Sequence, residues 1–290
     1  MSERRRILLL INDKARDNER GLEAVRLLEA CGFELVRPKT TSVEDMLGAI
    51  RTLAGEVDTI VIGGGDGSIS VAAPALLESG RPLGILPLGT ANDLARTLDI
   101  PLEIDEAVAV IAHGRPRRID VGFLDGRPFF NAVNIGLGAV VALRHGGAEK
   151  KRWGIWNYPR VIWLSWRHRR MRRTRITCDG RRSIGRFLHI AVVNGRYHGG
   201  GIPAAFDATI DDGLLHLYGI KAQTLIGFLR LIPSILRGRG TGPELTRMAG
   251  LRFRIETSRP SPVTADGEDR GTTPVEVECR SRLLDVLVPR

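Results

Sequence analysis

The chain has 290 residues, 43% of them hydrophobic and 26% charged, which is enough apolar side chain to fill a core and too much for a disordered class. Its net charge of +10 is mostly arginine, since lysine occurs only at 14, 39, 150, 151 and 221; that balance favours an anionic partner, namely nucleotide, nucleic acid or an acidic membrane face, unless it is only a compositional habit of the source genome. Three widely spaced cysteines, Cys31, Cys178 and Cys279, suggest neither a disulfide framework nor zinc spacing and favour a reducing compartment.

The run RILLLI (6–11) reads as a buried strand, followed by a polar loop over 12–20. Leu22, Val25, Leu27 and Leu28 set a helical period that ends at the Cys31-Gly32 turn. FELVRP is a second strand, and 43–53 a second helix with Glu44 and Asp45 in its first turn. DTIVIGG is a third strand leading to a helix over 69–77; PLGILPL is a fourth, leading to a helix from Ala91 to Leu98. Strand and helix alternate to residue 112, as in a parallel sheet with helices on both faces. Beyond 118 come short strand-like runs separated by glycine turns: IDVGFL, RPFFNAVNI, RRTRITCDG, GRFLHIAVVNG, GLLHLYGI, LRFRIET, VEVECR and LLDVLVP. They read as an antiparallel, β-rich second domain, interrupted by helical stretches near 149–172 and 221–237. The expected division is an α/β domain over 1–123 and a β-rich domain over 124–281, with the tail 282–290 returning to the first.

GGGDGS (63–68) follows a strand and opens a helix. A P-loop needs a Gly-Lys pair, and the chain has none; a Rossmann fingerprint needs glycine at 68, where Ser68 stands. A glycine nest whose amides face a nucleotide phosphate at a helix N-terminus fits better. Asp66 beside a triphosphate implies a screening Mg²⁺. The competing reading is a tight turn with Asp66 as helix N-cap. GTANDLA (89–95) repeats the strand–turn–helix context, with Thr90, Asn92 and Asp93 at the helix start, which an ordinary capped helix would also explain. Two such turns on neighbouring parallel strands converge at the carboxyl edge of the sheet, where open α/β folds bind ligands.

GGGDGS with LPLGTANDLA resembles the diacylglycerol kinase catalytic-domain family, which includes sphingosine and ceramide kinases and is more distantly similar to NAD kinases and phosphofructokinases. The likeness runs from ILLLINDKARDN through NGRYHGGGIPAAFDATIDDGLLHL to ADGED and looks closest to bacterial YegS-like lipid kinases. The resemblance implies an NAD kinase/phosphofructokinase-like α/β domain that binds ATP. The phosphates would lie on Gly63, Gly64, Gly65, Asp66, Gly67, Ser68 and Ile69, with Thr40 (or Thr41) and Thr90 lining the nucleotide site. Asp66, Asp93 and Asp120 would form an acidic network near the phosphates. A structural Mg²⁺ would be held by the Asp212 side chain and the carbonyls of Thr209 and Leu214, although Asp212-Gly213 is also a strong hairpin signal. Asp266 and Glu268 would form the catalytic segment, with Glu268 as general base; read without the resemblance, Glu268 is a solvated hairpin residue. The chain departs from the family pattern at Ser68, where threonine is usual, and at Asn12-Asp13-Lys14, where Asn-Pro is usual.

No apolar run approaches the roughly 20 residues of a membrane span, and the one at 7–11 is too short for a signal peptide. The stretch 149–173 holds all four tryptophans, Trp153, Trp156, Trp163 and Trp166, among many arginines; 221–240 is apolar and basic without an acid. Both suit an anionic membrane surface and equally suit packing on the second domain with arginines snorkelling outward. The expectation is a cytoplasmic enzyme, peripheral to the inner membrane face, that transfers the γ-phosphate of ATP to a lipid hydroxyl with Mg²⁺; a homodimer stays open. The alternatives are an NAD kinase-like soluble enzyme and a non-catalytic, basic nucleic-acid-binding protein. No nucleic-acid module is visible, so a nucleic-acid partner is not expected.

Overall fold

The computed structural model describes residues 5–11, 19–137, 139, 171–198, 202–203, 208–221 and 245–290. Most of the tryptophan-rich stretch 149–173 and of the apolar, basic stretch 221–240, and the Asn12-Asp13-Lys14 loop, lie outside them.

The first half is a wound α/β unit. Strands β1 (Arg6–Ile11), β2 (Glu34–Val36), β3 (Thr59–Gly64) and β4 (Leu83–Pro87) pair in parallel in the order β2-β1-β3-β4. Helices α1 (Glu19–Ala30), α2 (Val43–Leu53), α3 (Asp66–Ser79), α4 (Asp93–Thr97) and α5 (Ile104–His113) accompany them. β1 and β3 read as unbroken apolar runs because parallel strands are covered on both faces; Leu8, Ile60 and Val61 are wholly buried. A capping box starts α2: Ser42 Oγ accepts the Asp45 amide at 3.0 Å and the Asp45 carboxylate accepts the Ser42 amide. Gly80 ends α3 in the left-handed region. The helix expected at 69–77 thus begins three residues earlier, in the glycine turn itself, and the one expected over 91–98 is a single short turn, α4.

The rest is antiparallel apart from one contact of β18. β5 (Arg115–Leu124), β6 (Arg127–Phe129), β8 (Arg172–Cys178), β9 (Arg181–Phe187), β15 (Arg252–Thr257) and β18 (Val275–Val288) extend the first sheet to ten strands. A second sheet stacks β14 (Leu245–Gly250), β13 (Leu215–Ile220), β10 (His189–Val193), β7 (Ala132–Gly136), β16 (Pro262–Ala265) and β17 (Glu268–Thr272) in that order; β11 (Tyr197–His198) and β12 (Ile202–Pro203) pair by themselves. Phe129, Phe187, Phe253 and the apolar faces of β7, β10 and β13 fill the space between the sheets. The runs VEVECR and LLDVLVP, read separately in the sequence, are one strand. β18 carries an irregularity between Arg280 and Leu284, with Arg282 at φ 52°. Its far end pairs in parallel with β4 (Val286 with Leu83) and its near end with β15. One strand therefore contributes Val286 to the α/β core and Val277 to the sandwich core.

Three Asp-Gly turns share a device. Asp125-Gly126, Asp179-Gly180 and Asp266-Gly267 all have positive φ at both residues (46° and 80°, 45° and 84°, 49° and 89°), the type I′ geometry that joins twisted strands through two residues. In each the carboxylate then grips a third segment: Asp125 the Glu276 amide, Asp179 those of Leu251 and Arg252, Asp266 those of Phe130, Asn131 and Ala132.

Candidate active site

In the order β2-β1-β3-β4 the chain reverses its winding between β1 and β3, and the crevice at the carboxyl ends of those strands is where open α/β sheets take ligands. The glycine turn ends β3 at that point. A side chain on Gly63 would meet Ile11 Cγ1 at 2.9 Å and one on Gly64 would meet Ser68 Oγ at 2.6 Å, so both glycines are fixed by packing. Gly65 is the N-cap of α3 and abuts the second turn, 3.1 Å from where its Cβ would touch Gly89 Cα. Gly67 is different: a Cβ there has no neighbour within 4 Å and its φ is not in the left-handed region. Nothing described in the chain requires this glycine, and space stands open beside it. Among the described residues the amides of Asp66 and Gly67 make no hydrogen bond, as expected for a first helical turn.

Asp66 is not the cap of its own helix. Its carboxylate crosses to the second turn, accepting the Asp93 amide at 3.1 Å and the Leu94 amide at 3.0 Å, and it also accepts Asn131 Nδ2 at 3.2 Å. Those amides open α4, so Asp66 caps the neighbouring helix. Asn92, at φ 51°, holds the second turn: its Oδ1 accepts the Gly89 amide at 3.1 Å and its Nδ2 donates to the carbonyls of Gly89 and Pro87. Thr90 is exposed at the tip of this turn, and Thr40 is buried in the loop after β2. Thr41 is committed to the capping of α2, giving its Oγ1 and amide to Asp45, which leaves Thr40 as the threonine of that pair not tied to Asp45. Ser68 closes the turn through its amide to the Gly65 carbonyl at 3.0 Å, and Ile69 is buried beneath it.

The second sheet brings Asp266 and Glu268 to the same region through the segment 130–132. The Asp266 carboxylate accepts the amides of Phe130, Asn131 and Ala132 at 2.8, 2.9 and 3.1 Å, while its own amide donates to the Ala132 carbonyl. Its turn backbone lies at the surface but the carboxyl group is enclosed; burial pushes its pKa up, against the three amides that favour the charged form. Glu268 follows two residues on, at the start of β17, exposed. The family resemblance pairs Asp266 with Glu268 as catalytic; in this structure the Asp266 carboxylate holds the 130–132 segment, and through the turn it fixes where Glu268 starts.

Asp120, the third acid of the expected network, lies buried on β5. Its carboxylate accepts the amides of Gly213 at 2.6 Å and Arg282 at 2.7 Å, so it anchors the 209–213 loop and the bend of β18. Among the described residues its link to Asp66 runs from its backbone carbonyl: Asn194 Nδ2 donates to the Asp120 and Phe130 carbonyls, and the next residue, Asn131, donates from Nδ2 to Asp66. Asn131 and Asn194 carry no distinguishing signal in the sequence; each is a lone asparagine at one end of an apolar strand run, FFNAV and AVVNG, a feature without chemistry until the strands meet.

Asp212 closes its own loop. Oδ2 accepts the Thr209 amide at 3.1 Å and stands 2.9 Å from His216 Nε2, and Oδ1 accepts the Leu214 amide at 2.8 Å. Burial works to raise its pKa, but His216 and the two amides outweigh it and hold the carboxyl below its ordinary range. Among the described residues no three His, Cys, Asp or Glu side chains gather as a metal cluster.

The family model for the diacylglycerol kinase catalytic domain matches residues 6–124, and that for the YegS C-terminal NAD kinase beta sandwich-like domain matches residues 131–288. The chain belongs to the diacylglycerol kinase catalytic-domain family. It is thus a member of a kinase family, one of phosphotransferases with an alcohol acceptor. A protein of Yersinia enterocolitica serotype O:8 / biotype 1B named "Probable lipid kinase YegS-like" is 36% identical over 244 residues, 80% of this chain and 79% of that one. One of Pseudomonas syringae pv. syringae with the same name is 31% identical over 290 residues, 98% of this chain and 94% of the relative. A crystal structure of a diacylglycerol kinase from Bacillus anthracis str. Sterne superposes with a TM-score of 0.81 at 26% identity, covering 99% of this chain and 98% of that one. The family's two-part layout is the one described above for this kinase, with the wound α/β unit first and the sandwich second. Among the described residues no helix is long and apolar enough to cross a membrane.

Proposed function

We propose that the chain transfers the γ-phosphate of ATP to a hydroxyl of a membrane lipid such as diacylglycerol or phosphatidylglycerol, with Mg²⁺ required. The observation that carries the ATP reading is Gly67: an opening that the packing does not explain, at the start of a 14-residue helix, beside two amides with no described partner. Phosphate at a helix N-terminus is stabilised by those donors and by the helix dipole. Thr90 is exposed one turn away and can donate its hydroxyl, and Thr40 lies at the same rim.

In this reading the lipid oxygen attacks the γ-phosphorus. The new O–P bond forms as the bond to the β-phosphate oxygen breaks, ADP leaves, and the lipid proton passes to Glu268. Glu268 is exposed and free to meet an acceptor, whereas Asp266 positions it. Positioning and charge neutralisation carry most of such a transfer, with the base a smaller share. Mg²⁺ would supply charge neutralisation on the phosphates. Asp66 retains a carboxylate lone pair beyond its three donors and suits a hard cation arriving with ATP. A structural Mg²⁺ in the 209–214 loop would be held by Oδ1 of Asp212, which accepts one amide, and by the carbonyls of Leu214 and of Thr209, the latter also accepting the Asp212 amide. The enzyme would work peripherally at the cytoplasmic membrane face, where its acceptor lies.

The test is purified protein with labelled ATP, Mg²⁺, a panel of detergent-dispersed lipids and NAD. Label in a lipid is expected; label in NAD alone would replace the lipid kinase with an NAD kinase. Glu268→Gln is expected to lower turnover by about two orders of magnitude or more with ATP affinity and thermal midpoint unchanged, and unaltered turnover would remove Glu268 from the mechanism.

A further inference from the structure

Among the described residues β9 is an edge strand of the ten-stranded sheet. Its side chains alternate, with Ser183, Gly185 and Phe187 facing the sandwich and Arg182, Ile184 and Arg186 facing out. The neighbouring strand β8 turns Arg173, Arg175 and Thr177 to the same outer face. The register sets Arg173 directly opposite Arg186, and Arg175 opposite Ile184. Ile184 is 53% exposed, the most exposed of the large apolar side chains described.

The inner strands of this face are charge-balanced. Arg252 pairs with Glu278, Arg254 with Glu276 and Glu256, and Arg175 with Glu256. At the edge, Arg173, Arg182 and Arg186 make no ion pair among the described residues. Like charges directly opposed across a strand pair cost stability, so the fold keeps an unfavourable contact at Arg173 and Arg186 unless something anionic covers it. Arginine on an edge strand also discourages edge-to-edge pairing, but that purpose requires neither the opposed pair nor the exposed isoleucine among them.

The hairpin also stands at a junction. The Leu137 amide donates to the Leu188 carbonyl at 3.1 Å, Arg172 pairs with Phe187, the Leu188 amide donates to the Ile220 carbonyl at 2.8 Å, Lys221 Nζ lies 5.2 Å over the Phe187 ring, and Leu245 pairs with Ile220. Leu137, Arg172, Leu188, Lys221 and Leu245 therefore meet at one corner of the fold, beside Arg186. The corner is one strand from the site, since β7 runs from Ala132, held by Asp266, to Gly136, the partner of His189, about 14 Å at about 3.4 Å per residue.

We propose that the outer face of the β8–β9 hairpin, with Arg173, Arg182 and Arg186 around Ile184, docks the enzyme on an anionic lipid bilayer. The choice of a bilayer as the anion rests on the lipid-acceptor reading above. The arginines meet lipid phosphates and Ile184 enters the headgroup layer, a cationic-plus-apolar pairing that suits an interface.

The experiment is flotation of the full-length chain with vesicles of phosphatidylcholine alone and of phosphatidylcholine with phosphatidylglycerol. Wild type is expected to float with the anionic vesicles. Each arginine removed should weaken partition about fivefold, so Arg173→Gln, Arg182→Gln and Arg186→Gln together should lose about a hundredfold. Ile184→Ser alone should lose a smaller factor on the same vesicles. Arg252→Gln with Arg254→Gln, on the same face but already paired, is expected to lose much less. The thermal midpoint of Arg186→Gln should be unchanged or higher, since a repulsion is relieved. Partition of the triple variant equal to wild type overturns the proposal, as does an equal loss in the paired-arginine control, which would make the effect one of net charge. Tighter binding of wild type to oligonucleotide than to vesicles, lost in the triple variant, assigns the surface to nucleic acid and also overturns it. If no lipid is phosphorylated but flotation still needs these arginines, the docking surface stands and the kinase reading falls. If detergent-dispersed lipid is phosphorylated but the triple variant floats normally, the kinase reading stands and the docking surface falls.

Discussion

Replacing Asp66 with alanine separates two roles that a carboxylate in a phosphate-binding turn can have. The Asp66 side chain accepts the Asp93 and Leu94 amides and Asn131 Nδ2 at 3.1, 3.0 and 3.2 Å. Loss of an N-cap acceptor costs about 1 kcal/mol, and a bond to a charged group contributes about 1.5–3 kcal/mol. Asp66 is only half-buried, so water recovers part of each, and the net loss should be about 2–3 kcal/mol. At about 2–3 °C per kcal/mol for a chain of this size, the midpoint should fall by roughly 5–8 °C. Asp66→Asn keeps one oxygen for the α4 amides but turns an NH₂ towards Asn131, and should lose about half as much. The assay is thermal unfolding by circular dichroism with nucleotide and divalent cation absent, so that no ligand effect enters. A midpoint within about 1 °C of wild type for Asp66→Ala would refute the cross-turn clasp and leave Asp66 with a ligand-binding part alone.

Gly89→Ala should lose both fold stability and nucleotide binding, because the added Cβ runs into Gly65 Cα and comes 2.7 Å from Asn92 Oδ1; normal unfolding and ATP calorimetry would contradict the contact between the two turns. Mg²⁺ should raise the thermal midpoint of the native chain, and Asp212→Asn should lose that part of the rise that comes from the 209–214 loop; an equal rise in both would take the structural cation away from it. Burial first, then the charges of Asp120 and Asp212, push the Cys279 thiol up to about 12, whereas Cys31 is exposed. A thiol reagent near neutral pH should therefore modify Cys31 rapidly, while Cys279 reacts slowly and faster by about tenfold per pH unit above it. A folded pKa above the unfolded one favours the native state below about pH 8.5, and this contribution is lost as pH rises towards 12; rapid native-state labelling of half-buried Cys279 near neutral pH would contradict its raised pKa.

The α/β half was legible because its signals are local. Unbroken runs such as RILLLI and DTIVIGG, too short for a helix and bounded by turn residues, read as strands covered on both faces, and the glycine turns sit at their ends as sequence neighbours of the helices they open. The sandwich half was legible as strands but not in detail. VEVECR and LLDVLVP are joined through an irregularity at Arg282 that leaves no periodic trace, and LTRMAG escapes a sequence reading because its alternation is weak and only β13 makes it a strand.

Sequence alone determined that two glycine turns end neighbouring parallel strands and that acids stand in or beside them, because chain direction and period 2 or 3.6 are properties of adjacent residues. What each acid does was decided only by tertiary structure. Asp66 caps the next helix, Asp120 holds a loop of the sandwich, and Asp266 grips the 130–132 segment, 136 residues from Phe130. A carboxylate goes where backbone amides lack partners, and which amides those are depends on strands that meet only when the chain has folded.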